Sequence, residues 1–83
     1  MRLKRSAAEI ADIIDRFLTR SSLYPQEWND FVECRESDAT LEHFRKRCDE
    51  LDPLVNSPGE QDAAAIAELH NIVQQLREIA TQL

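Results

Sequence analysis

The sequence predicts an all-α fold, a small bundle of four helices forming a single domain over residues 1–83. Three observations carry that expectation. Gly occurs once and Pro three times in 83 residues, too few turn formers for an all-β chain, which must reverse direction every ten residues or so. Apolar side chains recur at three- and four-residue offsets in the long segments, the period of one helical face. The composition, 42% hydrophobic and 31% charged, belongs to a folded chain rather than a disordered one. A chain of this length builds a marginal core, so a partner could add to its stability.

The first helix is expected over roughly residues 7–20. Ser6 and Glu9 have the spacing of a capping box. Ile10, Ile13, Ile14, Phe17 and Leu18 share one face behind it, with Glu9, Asp12, Asp15 and Arg16 on the other. The basic leader, Met1 to Arg5, precedes this helix and is expected to be flexible.

A short second helix is expected in the stretch "SSLYPQEWNDF", residues 21–31. Pro25 suits a first helical turn and Glu27 favours its positive end. Tyr24, Trp28, Phe31 and Val32 then stand at offsets 0, 4, 7 and 8 on one face, opposite Gln26, Asp30 and Glu33. Such segregation predicts rings docked into the core. The alternative is an exposed aromatic anchor for a partner, since Tyr and Trp dominate binding hot spots.

Ser37 or Asp38 should cap the third helix, with Leu41, Phe44, Cys48 and Leu51 as its stripe. Pro53 is expected to end it, because a residue before proline is pushed out of the α region. Leu54 and Val55 would then pack beneath the following loop. The last helix is expected to start at "SPGE", where Ser57, Pro58 and Glu60 form a second box. From Pro58 to Leu83 it would reach about 39 Å, against roughly 20 Å for the first and third helices. Its stripe of Ile66, Leu69, Val73, Leu76, Ala80 and Leu83, widened by Ala65, Ile72 and Ile79, would outlast its neighbours. Leu76, Ile79 and Leu83 are therefore expected at a homodimer interface.

The formal net charge is −6, and the chain beyond the leader carries 7 basic against 16 acidic side chains. That balance disfavours nucleic acid and suits a basic protein partner. Glu27, Asp30, Glu33, Glu36, Asp38 and Glu42 lie within sixteen residues with only Arg35 among them, and this band is the expected partner-binding face; its plain reading is a solvated helix surface. Arg45, Lys46 and Arg47 spread over about 200° of helix, with Glu42, Asp49 and Glu50 within a turn, so ion pairing is expected there rather than a phosphate site.

No catalytic constellation is legible. Cys34, His43, Cys48 and His70 are the soft metal ligands, and none of their spacings suits a site; His43 and Cys48 diverge by about 140° around a helix. Cys48 reads as a small core residue and Cys34 as a partly exposed thiol. Neither a Gly-x-Ser-x-Gly elbow nor a phosphate-cradling glycine loop is present. Carboxylate pairs such as Asp12 with Asp15 and Glu33 with Glu36 leave a small metal-dependent hydrolase as the alternative, although the repeated acidic pattern of all-α nucleotide pyrophosphohydrolases is missing. The start "MRLKRSAAEI" lacks the apolar segment of a signal peptide and no run has membrane-spanning length, so a cytoplasmic protein without cofactor or membrane partner is expected.

"YPQEWNDF" followed by "FRKRCDELDPLVNSPG" resembles a pattern in short bacterial proteins of unknown function, over roughly residues 13–80. The resemblance implies a bacterial single-domain protein and attaches no activity or ligand. In size and acidity alone the chain is also similar to immunity proteins that neutralise bacterial nuclease toxins, without the motifs of the colicin immunity family. The expectation is a non-enzymatic binding domain, in its most concrete form an immunity protein or antitoxin that masks a basic partner.

Overall fold

A computed structural model describes residues 5–56 and 62–82 of the chain. The described residues form four α-helices: α1 (Ala7–Leu18), α2 (Glu27–Glu33), α3 (Ala39–Val55) and α4 (Ala63–Thr81). Each end of α1 is fixed by local chemistry. At its start the Ser6 hydroxyl accepts from Glu9 N–H, and the Glu9 carboxylate accepts from Ser6 N–H, both at 3.1 Å. At its end Ser21 N–H reaches Arg16 C=O at 2.7 Å and Arg20 N–H reaches Phe17 C=O at 3.2 Å. That pair of bonds is a Schellman closure. It needs a left-handed residue, and Arg20 occupies the position at φ 58°.

The apolar faces join in one core. Ile10, Ile14, Phe31, Cys48, Leu69 and Leu76 are fully buried, and burial of each large aliphatic among them contributes about 1.5–3 kcal/mol. α1 packs most extensively on α4, while α2 bridges α1 to α3 and α3 returns to α4. The four helices thus close a ring around their shared core.

Trp28 sits at the junction of three helices. Its ring stacks on Phe17 of α1 at 4.1 Å between centroids and meets Phe31 edge-on at 5.8 Å. Its Nε1–H donates to Asp52 Oδ1 of α3 at 2.6 Å. The expected inward face of α2 is present in Trp28, Phe31 and Val32, all buried, but not in Tyr24, which is 45% exposed. The reason is where the helix begins: Glu27 N–H closes a turn onto Tyr24 C=O at 3.1 Å, so Tyr24 and Pro25 precede α2 and escape its periodicity.

Pro53 does not end α3. The helix continues to Val55, and Asn56 N–H closes its last turn on Asp52 C=O at 2.8 Å. The missing proline donor and ring clash weaken one turn near the terminus. Burial of Leu51 and Val55 on either side, with Trp28 bonded to Asp52, holds the turn in place. Val55 packs inward as expected, whereas Leu54 is 47% exposed.

α4 is described from Ala63, capped by Asp62, whose carboxylate accepts from Ala65 N–H at 2.9 Å. The expected Ser57–Glu60 box lies outside the described residues, as does Leu83. Against the 19 residues of α4, α3 has 17 and α1 has 12, so the length mismatch behind the expected dimer nearly closes for α3 and persists for α1. Leu76 is fully buried within the chain, and Ile79 and Ala80 are partly covered. No described helix is long and apolar enough to cross a membrane.

Two outcomes follow from this packing. Trp28→Ala should cost about 3–5 kcal/mol in denaturant unfolding, and the native indole should fluoresce well to the blue of its unfolded state. Arg20→Gly should stabilise by about 0.5 kcal/mol, the relief of left-handed strain less the added chain entropy. A destabilised Arg20→Gly protein would refute the closure as described.

Candidate functional site

The six acidic residues expected to form one face fall into three groups. Glu27, Glu36 and Glu42 turn inward to arginines, Asp38 is consumed as a helix cap, and Asp30 and Glu33 remain on the outer side of α2.

Glu27 is 5% exposed. Arg16, in the last turn of α1, grips it as a fork: Nε to Oε1 at 3.0 Å and Nη2 to Oε2 at 2.8 Å. Leu23 N–H adds a third bond to Oε1 at 3.2 Å. The Arg16 fork holds the Glu27 carboxyl below its ordinary pKa against the opposing effect of burial, and Glu27 correspondingly raises the pKa of Arg16. An α-helix of seven residues gains little from its own hydrogen bonds, so this clamp helps fix where α2 begins.

At its other end α2 has no basic residue in the last turn. Arg45 of α3 supplies one from a distance: Nη1 donates to the Val32 carbonyl, one of the terminal carbonyls a helix cannot satisfy internally. Glu42 orients Arg45, taking Nε at 2.7 Å and Nη2 at 2.8 Å. Glu42 also accepts the Glu36 backbone N–H at 2.9 Å. Hydrogen bonding to Arg45 is the main cause that lowers the Glu42 pKa from its ordinary 4.5 to about 2.

Asp38 caps α3 by accepting Thr40 N–H at 2.8 Å and Leu41 N–H at 3.1 Å. Glu36 is 4% exposed, with Oε1 bonded to Arg5 Nη1 at 3.2 Å. The expected pairing within "RKR" holds for two of its members. Arg45 pairs with Glu42; Arg47 pairs with Glu68 and, at 3.5 Å, with Glu50.

Asp30 is half-buried and Glu33 exposed. Beside them the segment before α2 presents Leu23 at 74% and Tyr24 at 45% exposure. The neighbouring Asp30 carboxylate raises the phenol's pKa. An open hollow of about 480 Å³ lies under the same segment, lined by Phe17, Leu23, Tyr24, Pro25 and Val55. Exposed apolar anchors and a phenol beside Asp30 thereby precede α2, which carries the exposed Glu33 one turn further on.

The remaining candidates are separated. His43 and His70 are exposed, Cys34 is half-buried at the end of α2, and Cys48 is sealed in the core, where burial pushes its thiol up to about 12. No group of three or more His, Cys, Asp or Glu among the described residues could hold a metal ion. Asp12 and Asp15 face Arg77 of α4 at 3.2 and 3.9 Å. No family model, no curated protein and no solved structure matches this chain.

The Glu42 pair sets an acid limit on stability. Its folded pKa is depressed, so its contribution is complete above about pH 4.5 and is lost as pH falls towards about 2. Glu42→Gln should therefore be less stable than the parent at pH 7 and should lose less stability between pH 5 and 3. Parallel unfolding midpoints across that range would contradict the pairing.

Proposed function

We propose that this chain is a small, acidic, non-enzymatic protein-binding domain whose partner is basic. One observation carries the reading: Leu23 and Tyr24 stand exposed in the segment leading into α2, the helix that carries Asp30 and the exposed Glu33. Interfaces commonly combine a few aromatic or aliphatic anchors with a polar rim. Acidic rim residues steer a basic protein during encounter and suppress acidic competitors. Masking of a toxin, as an immunity protein or antitoxin of a bacterial cytoplasm, is the most concrete form of the proposal; a toxin gene beside the one encoding this chain would supply the partner. The hydrolase alternative gains no support from Asp12 and Asp15, whose carboxylates approach Arg77.

A homodimer through the end of α4 is a separate proposal. Within the described residues it rests on partly covered Ile79 and Ala80, both lining an open groove that a second copy and a partner segment cannot occupy together. Sedimentation equilibrium at high concentration tests it. A doubled mass abolished by Ile79→Glu supports the dimer, and a mass near 9.6 kDa excludes it.

For the acidic face, the partner is to be identified by co-purification and its association measured by stopped flow. The double substitution Asp30→Lys with Glu33→Lys should slow association by about tenfold at low salt and flatten its ionic-strength dependence. Tyr24→Ala should act mainly by speeding dissociation. Unchanged rates in both variants would exclude this face.

A further inference from the structure

Glu36 differs from the other inward carboxylates. Glu27 and Glu42 each have both oxygens bound by a guanidinium fork. The Glu36 side chain is as deeply placed, at 1% exposure, yet Arg5 reaches only Oε1, at 3.2 Å. Oε2 is the one buried side-chain oxygen or nitrogen among the described residues without a hydrogen-bond partner. A buried carboxylate with one oxygen unsatisfied is costly, and a fork across both oxygens is stronger and more directional than a single end-on bond.

Arg5 is also where two cavities meet. It lines a groove of about 870 Å³ walled by Ala7, Leu41, Ile79 and Ala80. It lines as well a smaller polar cleft of about 250 Å³ beside Glu9, Asp12 and Tyr24. Arg5 precedes α1, and its guanidinium lies 5.9 Å from the centre of the Phe31 ring. The place suits a planar cation stacked on an aromatic face better than a lysine ammonium.

We propose that Arg5 stands in for an arginine of the partner: an apolar–arginine segment of a basic protein enters this groove and replaces Arg5 on Glu36. The incoming guanidinium engages both Glu36 oxygens over Phe31, and its apolar neighbour packs against Leu41 and Ile79. Asp38, on the groove wall, adds charge complementarity once Arg5 has swung away. Arg5 then acts as an intramolecular competitor that keeps the carboxylate paired until the partner arrives. The inference rests on the reading that the partner is basic, and it assigns a site on that partner's path separate from Asp30 and Glu33.

Acetyl-leucyl-arginine amide serves as the probe, titrated into the full chain and followed by amide NMR shifts. Saturable shifts centred on Glu36, Leu41 and Ile79 are expected, with acetyl-leucyl-glutamine amide inert. Arg5→Gln should tighten binding by about tenfold by removing the competitor, and Glu36→Gln should abolish it. If Arg5→Gln does not fold, Arg5→Lys, which keeps the charge without the planar guanidinium over Phe31, should tighten binding to a smaller extent. Binding unaffected by Glu36→Gln, no saturation in a folded Arg5 variant, or the same shifts produced by raising protein concentration alone would overturn the proposal; the last would give the groove to a second copy. The peptide requires no identified partner, so failure here is distinct from failure of the face on α2, whose Asp30 and Glu33 substitutions should leave peptide binding unchanged.

Discussion

The structure depends on how a helix of two turns is held. α2 is too short to persist in water by its own hydrogen bonds, yet it bridges α1 to α3 on the side of the core opposite α4's contacts with the same two helices, closing the ring. Trp28 resolves this by touching both neighbours at once, stacked on Phe17 and hydrogen-bonded to Asp52. The stack supplies burial, and the indole N–H keeps its partner rather than losing water for nothing. Arg16 and Arg45 then fix the two ends of α2, one through Glu27 and the other through the Val32 carbonyl.

This anchoring also shapes the surface. Three acids that would otherwise enlarge a negative face are drawn inward to guanidinium groups, and a fourth caps α3. What remains of the band outside is small and located: Asp30 and Glu33 on α2, which follows the exposed Leu23 and Tyr24. The fold therefore sets which charges are free to meet another molecule. It also leaves Glu36 only half satisfied, bonded through one oxygen to Arg5, which lines an open groove.

Much of the fold was legible because its signals are local. The Ser6–Glu9 box, the aliphatic stripe of α1 and the Asp38 cap require only neighbours within four residues, and each appears as the periodicity implies. Tyr24 was misread because the offset rule assumes a helix already running, whereas a turn at Tyr24 starts it later. Pro53 was misread because burial of Val55 and the Trp28–Asp52 bond, both tertiary, outweigh a local preference. The acidic band looked continuous because sequence shows charge density but not direction. Glu42 and Arg45 are three apart and could have been paired by rule. Arg16 with Glu27 and Arg5 with Glu36, eleven and thirty-one residues apart, left no local trace.

The central claim is that α2 belongs to the cooperative core rather than resting on it. Native-state hydrogen exchange tests this directly. The amides of Phe31 and Val32 should exchange only by the same global opening that exposes Leu69 and Leu76, with equal free energies and equal denaturant dependence. Exchange of the α2 amides through a local opening of much lower free energy, while α1 and α4 stay protected, would contradict the account.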